Sequence, residues 1–135
     1  MRNIILCILL CIVILVFLTV ISARCEETGF PVTITDFTGK KTVIKKKPGR
    51  IISLAPSTTE ILYSIGAGDG IIGISDDCTY PPGALDKIKV GGIYLNYEKI
   101  VSLKPDLIVI EGTLYPRAIE KLSRLHFPLL VIQSD

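Results

Sequence analysis

Few residues of this sequence could do covalent chemistry, and they do not form a catalytic set. Ser57 is a conceivable nucleophile and His126 is the one histidine of the chain. However, no Gly-x-Ser-x-Gly motif surrounds Ser57, and no acid is evident that would orient His126. Neither Cys-x-x-Cys nor His-Glu-x-x-His occurs, so the sequence predicts no metal site. We therefore predict no enzyme activity and no resident cofactor.

Candidate binding residues lie in loops that follow short apolar runs. Tyr80 and Tyr94 offer rigid faces with a polar tip, and Asp77 and Thr113 can hydrogen-bond amide or hydroxyl groups. Two of them have structural alternatives, because Tyr80 could pack beside two prolines and Asp77 could cap a turn. The candidate ligand-binding set is Pro56, Ser57, Asp77, Tyr80, Tyr94, Glu111 and Thr113.

The apolar runs predict the strands that position these loops. Residues 50–55, 71–74, 106–110 and 129–132 are short, branched segments typical of buried parallel strands. Helical patterns separate them, which predicts an α/β fold: an N-terminal hairpin followed by a parallel sheet of about four strands with flanking helices. Ligands of open parallel sheets bind beyond the carboxyl ends of the strands, where the candidate residues lie.

The remaining local patterns predict an edge hairpin and the helices. Residues 32–44 alternate around Gly39 as a β-hairpin does, and Asn96 is placed to cap a helix. Ser57 and Glu60 have the spacing of a capping box. Apolar helix faces are predicted at Ile61, Leu62 and Ile65, at Ile100, Val101 and Leu103, and at Ile119, Leu122 and Leu125.

The first quarter of the chain has the composition of an export signal. Every residue from Ile4 to Ile21 except Thr19 is apolar, and Arg2 precedes the run. Its length approaches the roughly 20 residues that span a bilayer, so a cleaved signal peptide and a retained anchor are both open for residues 1–25. Cys25 is a possible lipidation site. We predict an exported protein at the periplasmic or extracellular face of the membrane.

The net charge of the chain says little about its function. The formal net charge is +2, and a basic run occupies residues 40–50. Such runs are most often solvated faces, and we predict no nucleic-acid partner.

Four segments resemble the periplasmic-binding family of receptors for cobalamin and ferric siderophores. They are RIISLAPSTTEIL at 50–62, the segment 73–82, VGG at 90–92, and YEKIVSLKPDLI at 97–108. The resemblance covers roughly residues 31–135. It implies one α/β lobe of a two-lobed receptor, with residues 26–49 forming a hairpin region and 50–135 the truncated N-terminal lobe.

The resemblance also implies a function and partners. We expect a solute-binding component of an ABC importer, with the permease and a metal-chelate ligand as partners. That ligand would be cobalamin, haem or a ferric siderophore. Tyr80 and Tyr94 would stack on a corrin, although the chain lacks the tryptophans that similar cobalamin receptors place there.

By the same resemblance, Glu98 would pair with permease arginines. The alternative for Glu98 is a first-turn glutamate favoured by the helix dipole. The alternative for the whole chain is a membrane-anchored single-lobe interaction domain or a non-functional fragment.

Overall fold

The computed structural model describes residues 29–113 and 115–133. The predicted export segment and Cys25 lie outside these residues. In the described part, none of the helices reaches the length and apolarity that a membrane span requires. The strands are β1 (Val32–Thr35), β2 (Lys41–Ile44), β3 (Ile51–Ser53), β4 (Ile71–Ile74), β5 (Ile88–Lys89), β6 (Leu107–Glu111) and β7 (Leu129–Ile132). The α-helices are α1 (Pro56–Ser64), α2 (Tyr97–Ser102) and α3 (Pro116–Ser123).

The central sheet is parallel throughout, with the strand order β5-β4-β3-β6-β7. This confirms the predicted α/β class. The predicted count of about four strands omitted β5, which is only two residues long and pairs with the end of β4. A strand that short leaves no hydrophobic pattern to read.

The N-terminal hairpin forms as predicted, but it is not an edge of the central sheet. β1 and β2 make a separate antiparallel sheet, and its inner side lies on β7. The Thr42 hydroxyl donates to the Leu129 carbonyl at 2.8 Å, and the Phe37 amide donates to the Val131 carbonyl at 3.0 Å. The turn is held by Asp36 Oδ1, which accepts from the amides of Thr38 and Lys40.

Helix α1 begins two residues earlier than the predicted capping box, with Ala55 rather than Ser57 at its N-cap. Ala55 is the extended N-cap residue, and Pro56 supplies the first helical position, where its missing N–H costs nothing. The hydroxyl of Thr58 accepts from the Ala55 amide at 3.1 Å. The predicted pairing of Ser57 with Glu60 is therefore wrong, because Ser57 already lies inside the first turn.

The two faces of the sheet are covered differently. Helices α2 and α3 seal one face around Ile52, Ile100, Ile108, Ile110 and Leu122. The other face is covered by α1 and the hairpin, which leave an apolar groove of about 760 Å³ between them.

That groove explains why one of the three predicted helix faces is largely wrong. On α1 only Leu62 is buried as predicted; Ile61 and Ile65 are 46% and 69% exposed at the groove, while Thr58 and Thr59 face inward.

The other two predicted helix faces are largely correct. On α2 Ile100 is buried and Leu103 packs against the core, but Val101 is 43% exposed. On α3, Leu122 is buried, and Ile119 and Leu125 pack against the same core.

Candidate functional site: the carboxyl-terminal edge of the sheet

Because the strands are parallel, the segments that follow β3, β4, β5 and β6 meet at one edge. We call this the C-terminal edge; it comprises residues 55–58, 75–80, 90–95, 111–113 and 115. All seven candidate binding residues lie in these segments. The arrangement follows from topology alone, since α/β sheets direct their strand-to-helix loops to this side.

A buried hydroxyl cluster forms the floor of the C-terminal edge. Ser53 Oγ lies 2.7 Å from Thr58 Oγ1, and Thr59 Oγ1 donates to Ser53 Oγ at 2.8 Å. The Cys78 sulfur lies 3.2 Å from both Thr59 Oγ1 and Ser75 Oγ. All five side chains are at most 1% exposed. The cluster therefore ties the end of β3 and the start of α1 to the loop after β4.

A second set of contacts joins the loops after β4 and β5. The Asp76 amide donates to the Gly91 carbonyl at 3.0 Å, and the Gly91 amide donates to Asp76 Oδ1 at 3.2 Å. Gly91 has φ +103°, and a Cβ there would lie 2.3 Å from the Tyr94 carbonyl oxygen, so only glycine fits. Asp77 Oδ2 lies beside Gly92. Asp77 is thus placed next to the loop that carries Tyr94.

The loop after β5 presents its aromatic residue to solvent. Tyr94 is 90% exposed and the neighbouring Ile93 is 82% exposed. Both line a cavity of about 640 Å³, whose other walls include Tyr97, Tyr115, Arg117 and Lys121. The cavity is therefore aromatic with a basic rim, and Lys121 Nζ lies 5.3 Å from the centre of the Tyr97 ring.

Tyr115 connects this cavity to the ends of β4 and β6, and the sequence analysis missed it. It is 8% exposed. Burial raises the pKa of its phenol, and the charges of Asp77, Cys78, Asp76 and Glu111 raise it further. These acids must lie close enough to act on the phenol. Its position in the sequence could have identified it, because Tyr115 lies between the end of β6 and the start of α3. Arg117, at the start of α3, could have been found in the same way.

Glu111 and Thr113 form a local pair after β6. Glu111 is 1% exposed, and Thr113 Oγ1 donates to both of its carboxylate oxygens at 2.8 Å. Glu111 therefore supports the loop from beneath, and its contact with a ligand stays a prediction.

The other candidates are less closely associated. Pro56 and Ser57 are partly buried at the start of α1. Tyr80 is 60% exposed, and no hydrogen bond among the described residues joins its side chain to Tyr94 or Asp77.

Glu98 occupies the first turn of α2 and is exposed. The predicted cap is confirmed, because Asn96 Oδ1 accepts from the Lys99 amide at 2.9 Å. Within residues 29–113 and 115–133, the Glu98 carboxylate makes no hydrogen bond or ion pair. The side chain is accordingly available to an external cation.

The described residues contain no group of three or more His, Cys, Asp or Glu side chains that could hold a metal ion. Cys78 is a buried free thiol. The chemistry that the site supports is non-covalent contact through aromatic faces, hydroxyls and carboxylates.

Comparison with known proteins gives a consistent result. The chain is 45% identical over 87 residues to an uncharacterized ABC transporter substrate-binding lipoprotein, YvrC of Bacillus subtilis, covering 64% of this chain and 28% of that protein. It is equally similar to a vitamin B12-binding protein of Vibrio cholerae, covering 63% and 32%. The chain thus spans less than a third of the length of either relative.

Solved structures agree with the sequence comparison. The periplasmic vitamin B12-binding protein BtuF of Vibrio cholerae superposes with a TM-score of 0.62 at 43% identity, covering 64% of this chain and 35% of that one. The heme-binding protein HmuT superposes with a TM-score of 0.68 at 26% identity, covering 78% and 35%. A family model described as periplasmic binding protein matches residues 51–135. The chain therefore belongs to the periplasmic binding protein family.

Proposed function

We propose that this chain is the first lobe of an extracytoplasmic solute-binding protein that captures a metal chelate for an ABC importer. The relatives support this role, since one is an ABC transporter substrate-binding lipoprotein and another binds vitamin B12. The chelate would be cobalamin, haem or a ferric siderophore. No chemistry on the ligand is proposed, in keeping with a family of binding proteins.

The observation that carries the proposal is the construction of the C-terminal edge. Mobile loops would lose conformational entropy when they bind a ligand. Here the buried hydroxyl cluster and the hydrogen bonds between Asp76 and Gly91 hold the loops in place before a ligand binds. Above that floor, Tyr94 offers a large, exposed ring. Fixed loops that carry exposed aromatic residues suit a flat, partly apolar ligand.

The ligand would be only half enclosed by this lobe. The cavity beside Tyr94 is open to solvent, while good small-molecule sites bury about 70–90% of a ligand. A second surface is therefore required for tight binding. From this chain alone we expect saturable but weak binding, in the micromolar range or above.

Binding to the chain tests this function directly. Purified protein would be titrated calorimetrically with cyanocobalamin, haemin and ferric staphyloferrin B. We expect one of the three to bind with one-to-one stoichiometry. If a chain that circular dichroism shows to be folded binds none of them at millimolar concentration, the proposed function is wrong.

Glu98 would dock the lobe onto its permease. Its exposure, and the absence of an internal partner in the described residues, support an electrostatic contact with a basic permease patch. Replacement of Glu98 by alanine should weaken binding to the cognate permease in nanodiscs and leave ligand affinity unchanged. Glu120→Ala is the matched control, because Glu120 is also an exposed helical glutamate but pairs with Arg124. Loss of ligand affinity in the Glu98 variant would contradict this division of roles.

Export is part of the same proposal. The apolar run of residues 4–21 would direct the chain across the membrane and either be cleaved or remain as an anchor. Acylation of Cys25 would provide an alternative attachment.

A further inference from the structure

Charge is segregated along this chain in a way that its net charge conceals. Residues 29–50 contain six lysines and arginines against one acid, Asp36, whereas residues 51–135 contain seven against ten. Residues 29–50 thus carry a net charge of +5 and residues 51–135 one of −3; residues 1–28 add none, because Arg2 and Arg24 are matched by Glu26 and Glu27, so the whole chain is only +2. Such asymmetry between parts of a chain points to an anionic surface as a partner.

The fold places four of these six bases at the edge of the sheet opposite the candidate ligand site. Lys45, Lys46 and Lys47 follow β2, and Arg50 precedes β3. Lys104, which precedes β6, lies beside them because its carbonyl accepts from Arg50 Nε at 3.2 Å. All five side chains are exposed. We call this set the basic end.

Three acids lie at the same end of the sheet and are outnumbered by these bases. The carboxylate of Asp106 accepts from the backbone amides of Gly49 and Arg50, Asp69 lines the apolar groove, and Asp86 precedes β5. Among the described residues at this end of the sheet, the five bases of the basic end therefore face three acids. At the C-terminal edge the charges are mixed, since Asp76 and Asp77 are exposed there while Arg117 and Lys121 line the cavity beside Tyr94.

The chain enters the described fold at the basic end as well. Val32 begins β1 directly opposite Ile44, which is the last residue of β2 before Lys45. About ten residues separate the apolar run, which ends at Ile21, from β1, and ten extended residues reach at most about 35 Å. An anchor formed by that run, or a lipid on Cys25, would hold the basic end close to the bilayer.

We propose that the basic end docks onto the anionic phospholipid headgroups of the membrane and holds the C-terminal edge toward the solute. This inference goes beyond solute capture but rests on the proposed export. A polybasic segment beside a membrane anchor gains affinity from each lysine near an anionic surface. For Glu98 to dock onto the permease, the lobe would then have to leave this membrane-docked orientation.

The chain contains no tryptophan, so a single introduced one reports on its own surroundings. Ile65→Trp places it beside the basic end, and Ile93→Trp places it at the C-terminal edge; both sites are well exposed. The full chain would be reconstituted through its apolar run into vesicles of phosphatidylglycerol and phosphatidylcholine that contain brominated lipid. We expect strong bromine quenching of the tryptophan at 65 and little at 93.

Charge removal sharpens the test. The triple replacement of Lys45, Lys46 and Lys104 by glutamine should shift the equilibrium between docked and free orientations about a hundredfold toward the free one and abolish quenching at position 65. Salt at 0.5 M should act in the same direction. The matched control replaces three other exposed bases by glutamine, Lys99, Lys121 and Arg124. It should leave the quenching unchanged.

Equal quenching at positions 65 and 93, or quenching that resists both salt and the triple replacement, would overturn the proposal. So would the absence of quenching at position 65 in phosphatidylglycerol vesicles. None of these outcomes depends on ligand binding, so failure here is distinguishable from failure of the proposed function.

Discussion

The two edges of the central sheet are stabilised in different ways. Beneath the C-terminal edge, buried side-chain hydroxyls bond one another and the backbone, as Thr59 does with Ser53 and the Ala55 carbonyl. At the opposite edge, a partly exposed carboxylate, that of Asp106, holds the backbone before β3, and lysines cover the surface. The first edge combines a rigid interior with exposed aromatic side chains; the second combines a local tether with a surface on which bases outnumber acids.

This difference indicates what each edge is suited to do. Buried hydrogen bonds fix geometry, which benefits recognition of a particular ligand. Exposed charges of one sign orient a protein in the electrostatic field of an oppositely charged surface without selecting one particular partner. Under the two proposals above, the same lobe would use one edge for solute capture and the other for positioning at the membrane.

The largest effect on stability is expected at the hydroxyl cluster. Thr59→Val keeps the shape of the side chain but removes its buried hydrogen bonds to Ser53 Oγ and the Ala55 carbonyl, both of which retain a bond to the Thr58 hydroxyl. We expect a loss of about 1–3 kcal/mol in the free energy of unfolding, measured with urea. Thr33→Val, an exposed threonine on β1, should change it by less than about 0.5 kcal/mol. Similar values for both variants would show that the cluster contributes nothing.

Tyr94→Ala should affect binding rather than stability. The side chain is 90% exposed, so its removal costs the fold little, whereas loss of stacking should weaken ligand affinity by about tenfold or less. Calorimetric titration with the ligand identified above measures this change. Val43→Ala, an exposed apolar residue of the hairpin, is the control. An unchanged affinity in Tyr94→Ala would remove this residue from the site.

At the basic end, Asp106→Asn tests how much the Asp106 carboxylate stabilises the backbone before β3. Asparagine retains one acceptor oxygen for the amides of Gly49 and Arg50, and the site is accessible to water, so we expect a cost of about 1 kcal/mol. Urea unfolding would measure it, with the exposed Asp86→Asn as a neutral control. A cost larger than that of Thr59→Val would reverse the comparison between the two edges.

The smallest effect appears only at alkaline pH. The pKa of Tyr115 is raised above its ordinary value of 10.0, first by burial and then by the neighbouring negative charges. Its neutral form stabilises the fold fully below pH 10, and this contribution is lost as pH rises through the folded-state pKa. Tyr115→Phe should therefore lose less stability than the wild type between pH 9 and pH 11. An identical pH dependence in urea unfolding would contradict this.

The sequence pattern was sufficient for features determined locally. Continuous branched runs predicted β4, β6 and β7, and the Asn96 cap followed from residue type and position. Family resemblance, which the comparisons confirm, added the two-lobed context.

Features that depend on tertiary packing could not be read in this way. Ile61 and Ile65 look like a helix face directed at the core, but α1 buries Thr58 and Thr59 because polar strand ends lie beneath it. Tyr115 gains its surroundings only when β4 and β6 come together. The placement of the basic end opposite the C-terminal edge likewise depends on the sheet topology. In the sequence alone, the basic run resembles an ordinary solvated face.

Mapping by nuclear magnetic resonance tests the central claim most directly: that the C-terminal edge is the ligand surface. Amide shifts of the ¹⁵N-labelled chain would be followed during titration with cyanocobalamin, haemin and ferric staphyloferrin B. We predict that one ligand shifts the amides of residues 76–77, 91–95 and 112–115 and leaves those of residues 45–50 unchanged. Shifts confined to residues 45–50 or to the apolar groove, or no saturable shifts with any of the three ligands, would contradict the account.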